Sequence, residues 1–113
     1  MWDEAGRLTE WLGEVPIEAQ LLKLSEEVGE VAEAYLGLTG LNRRKGITHT
    51  RDDLVNEVAD VIITAAVTIV KLTGEPQAAS AAFNAHLATV LDRAGLEPAP
   101  APLAGGGASR PGE

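Results

Sequence analysis

The chain has 113 residues, of which nine are basic and seventeen acidic, giving a net charge of −8 at pH 7. This charge argues against a nucleic-acid polymer or an anionic membrane as partner, although a bound divalent cation can still recruit a small polyphosphate. The chain contains no cysteine, which excludes disulfides and thiolate metal sites.

The composition changes at residue 97. Over residues 97–113, Pro, Gly and Ala supply twelve of seventeen positions. Such a segment cannot bury enough apolar surface to offset its ordering entropy, so we expect a folded domain over 1–96 and a disordered tail over 97–113. The first residues are acidic and polar, unlike a signal peptide, and the longest apolar run is too short for a membrane span. We therefore expect a cytoplasmic protein.

The first half of the chain predicts a short helix and a long one. The short helix covers about residues 4–12 and carries Trp11, which can pack as an anchor or stack on a base, as can Trp2. The long helix begins after Pro16 and ends at Gly37 or Gly40. Its apolar residues alternate steps of four and three, as in a packed helix seam: Ile17, Leu21, Leu24, Val28, Val31, Tyr35 and Leu38.

The second half predicts two further helices. Thr50 and Asp53 form a capping-box pattern, so a second long helix should begin after Thr50, run to about Thr73 and stop at Gly74. A last helix is expected over about residues 77–93. No strand pattern competes, so the fold class is all-α: a helical bundle with two long central antiparallel helices, completed by oligomerisation because about 96 residues bury only a modest core.

The segment "LSEEVGEVAEAY", residues 24–35, contains four glutamates, Glu26, Glu27, Glu30 and Glu33. Glutamate is a good helix former, so a solvated helix face is the ordinary explanation. Glu27 and Glu30 are three residues apart and project on one side of the helix, where Lys23 could relieve their repulsion. On this segment alone, surface and site both remain open.

The second long helix repeats the pattern. Glu57 and Asp60 are also three residues apart, and Asp60 is the only charged residue between Val58 and Val70. A solvated stripe remains possible, but antiparallel packing would bring these residues together with Glu27 and Glu30. Four carboxylates suit a hard divalent cation, Mg²⁺ or its substitute Mn²⁺. The Glu-x-x-His motif that a di-iron bundle requires does not occur in either acidic pair.

The residues Glu26-Glu27-x-x-Glu30, followed after 26 residues by Glu57-x-x-Asp60, resemble the EExxE…ExxD signature of the MazG-like all-α nucleoside triphosphate pyrophosphohydrolases. Relatives of that superfamily include dimeric dUTPases, dCTP pyrophosphatases and phosphoribosyl-ATP pyrophosphatases. The resemblance covers about residues 17–93. It implies that Glu27, Glu30, Glu57 and Asp60 are Mg²⁺ ligands. It also implies that Glu26 acts on a further metal or on the attacking water, and Glu26 and Glu27 are the candidate catalytic residues.

The resemblance further implies hydrolysis of a nucleotide between the α and β phosphates, to the monophosphate and pyrophosphate, in nucleotide-pool house-cleaning. It also implies a homodimer or homotetramer. Nothing in the sequence favours the larger phosphoribosyl-ATP as substrate. Candidate phosphate-binding residues are Asn84 and Arg93, and the lysines that relatives place near that asparagine are missing. The basic loop Arg43-Arg44-Lys45, or Lys23, could replace them, and a plain exposed loop is the equal alternative. The rival function is a non-catalytic helical interaction or regulatory module.

Overall fold

The computed structural model describes residues 1–97, so the expected tail lies outside the described residues except for Glu97. Four helices follow one another: α1 (Trp2–Leu12), α2 (Ile17–Thr39), α3 (Arg51–Thr73) and α4 (Pro76–Arg93). No strand occurs in the described part of the chain, and the all-α prediction is confirmed. The chain divides into two compact units, one over Met1–Ala82 and a second that begins at Phe83.

The boundaries of α3 follow from local chemistry. The Thr50 hydroxyl accepts a hydrogen bond from Asp53 N at 3.1 Å, and Thr50 N donates to Asp53 Oδ2 at 2.8 Å. This capping box satisfies two backbone donors at the start of the helix. At the other end Gly74 adopts the left-handed conformation with φ of 95°. Both predicted boundaries of α3 are confirmed.

The two glycines near the end of α2 have different roles. Gly40 ends the helix in the left-handed conformation, with φ of 69°. Gly37 instead lies within the helix and is buried, and its carbonyl accepts a hydrogen bond of 2.9 Å from Thr48 N. The segment before α3 therefore lies directly against the α2 backbone at Gly37, an approach that any larger side chain would obstruct.

The apolar core of the first unit lies between α1, the C-terminal half of α3 and the first turn of α4. Its buried members are small or branched: Ala5, Ala66, Val67, Val70 and Ala79. Trp2 and Ile69 pack against this cluster, so Trp2 is a packing anchor. This apolar cluster thus lies where α1 covers α3, and the N-terminal half of α3 keeps Val55, Val58 and Ile62 exposed.

The predicted apolar seam of α2 is covered only in part. Its residues Ile17, Leu24, Val31 and Leu38 are half-buried, whereas Leu21, Val28 and Tyr35 are about half exposed. The most buried residues of the helix are Gln20, Glu27, Ala34 and Gly37, of which Gly37 lies against the segment before α3. Gln20 contacts Thr64 and Thr68, while Glu27 lies beside Glu57 and Asp60. Contacts therefore run in opposite order along the two helices. Small and polar residues are therefore the most buried part of α2, and Leu21, Val28 and Tyr35 on the outer side of the apolar stripe stay about half exposed.

Among the helices of residues 1–97, none is both long enough and apolar enough to cross a membrane.

Candidate metal centre

Three carboxylates from two helices meet at one point. Glu27 of α2 and Glu57 and Asp60 of α3 each place one carboxylate oxygen within 4.8 Å of the other two. Glu27 is buried, Glu57 is half-buried and Asp60 is exposed, so the group opens to solvent on the Asp60 side. The i, i+3 spacing on α3 puts Glu57 and Asp60 on the same side of the helix, where they face Glu27. This acidic triad could hold a metal ion.

One carboxylate oxygen of Glu57 lacks any hydrogen-bond partner within residues 1–97. This atom, Oε2, is enclosed by protein. An enclosed, unpartnered carboxylate oxygen is unfavourable, because it has lost its hydrogen bonds to water and no protein hydrogen bond replaces them. A cation between the three carboxylates would offset the charge of the Glu57 carboxylate and remove the repulsion within the triad. The donors are all hard oxygens, which fit Mg²⁺ or Mn²⁺.

One side chain partly balances the triad. Lys23 Nζ lies 3.0 Å from Glu27 Oε1, one helical turn away on α2. The bond to Glu27, with the negative charges of Glu27 itself, Glu26 and Glu30, raises the pKa of Lys23. A single ammonium opposes three carboxylates here. Lys23 and one divalent cation together would neutralise the triad.

Glu30, the fourth predicted ligand, lies beside the triad rather than within it. Its side chain is exposed, and its pKa is raised chiefly by the negative charge of Glu27, then by desolvation and by Glu57. These causes place Glu30 within electrostatic reach of both residues. Glu26 is also exposed and has no hydrogen bond or ion pair with the triad.

The predicted phosphate-binding residues belong to different elements of the chain. Arg43, Arg44 and Lys45 are exposed in the loop between α2 and α3, where the Asn42 side chain accepts a hydrogen bond from Arg44 N. Lys45 lines a small cleft with His49 and Gly37. Asn84 and Arg93 lie on the later part of α4, in the second unit, and Asn84 has interactions of its own. Lys23 contacts the triad through Glu27.

An apolar cleft of about 350 Å³ lies next to Lys23. It is formed by the end of α1, the start of α2 and one side of α3, and its lining is Leu8, Trp11, Leu12, Val15, Ala19, Gln20, Lys23, Ile63, Thr64 and Val67. Lys23 belongs both to this cleft and to the acidic group, and so joins the two. Trp11 is 79% exposed, so among residues 1–97 this indole is not a packing anchor.

Gln20 is the buried polar residue of the cleft. Its Nε2 donates to Thr68 Oγ1 at 3.2 Å and to Thr64 O at 3.5 Å, while Thr68 Oγ1 donates to Thr64 O at 2.7 Å. Sequence reasoning missed this network. The available indication was spacing, because Gln20, Glu27 and Ala34 repeat every seven residues and so share a helix face.

Comparisons with family models, curated proteins and solved structures find no match to this chain. Membership of the MazG-like superfamily therefore stays a prediction from the spacing of the five acidic residues.

Proposed function

We propose that the protein is a Mg²⁺-dependent nucleoside triphosphate pyrophosphohydrolase of the MazG-like kind. It would cleave a nucleotide between the α and β phosphates to the monophosphate and pyrophosphate. The observation that carries the proposal is the acidic triad of Glu27, Glu57 and Asp60, with its enclosed and unpartnered Glu57 oxygen. An orphaned acidic group of this kind is unfavourable for the fold alone, which supports a functional reason for it.

Each acidic residue has a role in this proposal. Glu27, Glu57 and Asp60 hold the cation, and Glu30 completes the set from its position beside Glu27. Glu26, exposed on the same helix, orients the attacking water or accepts its proton. When bound, the cation neutralises the polyphosphate and activates a water for in-line attack. Mn²⁺ can replace Mg²⁺, because its preferred ligands are similar.

The apolar cleft is the proposed binding site of the base and sugar. It is joined to the triad through Lys23, so a nucleotide with phosphates at the metal could extend its organic part along the cleft. The exposed indole of Trp11 offers a flat surface on which a base can stack. Lys23 would then exchange part of its contact with Glu27 for a substrate phosphate. Arg43, Arg44, Lys45, Asn84 and Arg93 stay candidates for further phosphate contacts.

Self-association is part of the proposal. Leu21, Val28 and Tyr35 form a stripe at heptad spacing on α2 and are 49%, 54% and 52% exposed. A continuous apolar stripe on a soluble chain is a typical partner surface. We propose a homodimer, or a homotetramer of dimers, that covers this stripe and completes the bundle. The role in the cell would be nucleotide-pool house-cleaning in the cytoplasm.

The direct test is an activity screen. Purified protein is incubated with Mg²⁺ and each common and oxidised nucleoside triphosphate, and pyrophosphate and orthophosphate are measured separately. The proposal expects pyrophosphate from at least one nucleotide, and its loss in Asp60→Asn but not in Glu33→Gln, a matched change on the exposed side of α2. No turnover of any nucleotide, with no Mg²⁺ binding in calorimetry, would overturn the proposal.

The second candidate is a non-catalytic helical interaction module. The exposed stripe of Leu21, Val28 and Tyr35 favours it, since such a stripe suits a protein partner without any chemistry. Under this alternative, replacing the triad carboxylates would leave partner binding intact. Mg²⁺ binding without turnover of any nucleotide would favour this alternative.

A further inference from the structure

The hydrogen bonds around Gln20 fix which end of its amide faces the α3 backbone. The Thr68 hydroxyl has one hydrogen, and it donates that hydrogen to Thr64 O at 2.7 Å. Toward Gln20, Thr68 Oγ1 can therefore only accept, and Thr64 O is an acceptor as well. The group within 3.2 Å of Thr68 Oγ1 must be the amide NH₂ of Gln20. The orientation of the amide follows from this network.

In this orientation the only group of the Gln20 amide left for a ligand is the acceptor Oε1. Both hydrogens of its Nε2 are directed at Thr68 Oγ1 and Thr64 O. Its Oε1 accepts no hydrogen bond from the described residues, and it is not among their enclosed, unpartnered polar atoms, so it keeps some access to solvent. Gln20 as a whole is only 4% exposed and lines the apolar cleft. The remaining access of Oε1 is therefore through the cleft.

The surroundings make this acceptor selective. Apart from Gln20, the cleft has three polar side chains, those of Trp11, Lys23 and Thr64. Lys23 is paired with Glu27, and the Thr64 hydroxyl can donate or accept a hydrogen bond. The other walls are aliphatic and offer no compensating hydrogen bond. A ligand group placed against Gln20 Oε1 must donate a hydrogen, or both groups stay unsatisfied. A buried mismatch of this kind costs far more than a matched pair gains.

Resting on the proposed function, we propose that Gln20 is a specificity-determining residue that accepts a hydrogen bond from the exocyclic amino group of a base. The site then prefers cytosine and adenine nucleotides, whose ring carries an amino group at position 4 or 6. Uracil and hypoxanthine carry a carbonyl at that position and set two acceptors against each other.

The position of Gln20 along α2 agrees with this role. It precedes Glu27 by seven residues, about 10 Å along the helix axis at 1.5 Å per residue. A nucleotide with its phosphates at the triad needs such a separation, because the sugar lies between phosphates and base. Lys23 stands between the two positions, on the path from triad to cleft.

The test compares matched substrates that differ at the amino group. kcat/KM is measured with Mg²⁺ for CTP against UTP and for ATP against ITP. We expect the amino member of each pair to be favoured about 10- to 100-fold, the range that one unsatisfied buried group produces. In Gln20→Leu we expect kcat/KM to fall for the amino substrates, CTP and ATP, and not for the carbonyl substrates, UTP and ITP. Both ratios then fall to about one. A merely structural defect would lower both members equally.

The control is Thr39→Val, which removes a side-chain hydrogen bond at the exposed end of α2 and should keep both ratios. If Gln20→Leu does not fold, the test rests on the two kcat/KM ratios of the unsubstituted protein, CTP to UTP and ATP to ITP. Ratios near one, or in favour of the carbonyl member, overturn the role of Gln20 while leaving the proposed hydrolysis intact.

A binding measurement separates the two proposals. CMP and UMP are titrated into the protein while Trp11 and Trp2 fluorescence is recorded, with Trp11→Phe used to assign the response. Tighter binding of CMP without hydrolysis of any triphosphate supports the role of Gln20 and overturns the proposed function. Equal binding of both, or binding of neither, overturns the role of Gln20 whatever the activity screen shows.

Discussion

Lys23 Nζ lies 3.0 Å from Oε1 of Glu27, and these two residues form the only ion pair of the acidic triad within residues 1–97. Glu27 is buried, with 8% of its side chain exposed, whereas Lys23 is 55% exposed. A solvent-facing ammonium is therefore the counter-charge for an enclosed carboxylate. A bound divalent cation could neutralise Glu27 in place of Lys23 and so release the Lys23 ammonium from the ion pair.

Replacing Lys23 should make the protein depend more strongly on a divalent cation. Lys23→Met keeps most of the aliphatic length and removes the charge. We expect the free energy of unfolding without metal to fall only modestly, because an ion pair with an exposed partner is screened by solvent. Thermal unfolding with and without Mg²⁺ measures this effect, and Mg²⁺ should raise the melting temperature more in the variant. Lys45→Met, in the exposed loop, is the control, and an equal Mg²⁺ effect in both variants would contradict the expectation.

Replacing Glu57 should separate stability from metal binding. In Glu57→Gln the enclosed position loses its charge and gains an NH₂ group that can donate to a neighbouring carboxylate. We expect the metal-free protein to gain about 1 kcal/mol, since repulsion is removed and a buried atom gains a partner. Chemical denaturation measures the gain. A destabilised variant would show that Glu57 already has a satisfactory environment without metal.

Two glycines of α2 should respond oppositely to the same substitution. A Cβ on Gly37 would overlap His49 Nδ1 and lie 2.5 Å from Thr48 Oγ1, whereas a Cβ on Gly29 meets nothing within 4 Å. Gly37→Ala should therefore lower the free energy of unfolding by about 1–3 kcal/mol. Gly29→Ala should raise it by about 0.5–1 kcal/mol, because alanine favours a helix interior. Denaturant unfolding of both variants checks this contrast, and equal effects would mean that the segment before α3 does not pack on Gly37.

The capping box of α3 should make stability depend on acid pH. Hydrogen bonds from Thr50, foremost that of its backbone N–H, hold the pKa of Asp53 below its ordinary value of 3.8. A lowered folded-state pKa means that this contribution is present above pH 3.8 and is lost as the pH falls through the folded-state pKa. Melting temperatures of the protein and of Asp53→Asn should therefore differ at neutral pH and converge in acid. Asp52→Asn, in the same first turn, is the control, and it should show a smaller difference between neutral and acid pH.

Local features of the fold could be predicted from the sequence. Thr50, Asp53 and Gly74 act through neighbouring backbone groups, so the limits of α3 needed no tertiary information. Gly37 could not be assigned in this way. Its neighbours His49 and Thr48 approach it only in the folded chain, and from sequence alone an internal glycine is indistinguishable from a helix stop.

The site was predictable only in part, for a related reason. The i, i+3 spacings and the expected packing of α2 on α3 bring Glu27, Glu57 and Asp60 together. Periodicity reveals an apolar stripe but not how much of it is covered. Leu21, Val28 and Tyr35 were assigned to the packed seam and are about half exposed, whereas Gln20, Glu27 and Ala34 are buried. The cleft depends on where α1 lies against α3, and the apolar pattern of α1 alone does not specify that placement.

The central claim is that Glu27, Glu57 and Asp60 form a metal centre. The most direct measurement is a titration with Mn²⁺ followed by electron paramagnetic resonance, applied to the protein and to Glu57→Gln, Asp60→Asn and Glu33→Gln. We expect saturable binding that Mg²⁺ displaces, at least tenfold weaker in the first two variants and unchanged in Glu33→Gln. Equal binding in all four proteins, or no saturable binding in the unsubstituted one, would contradict the claim.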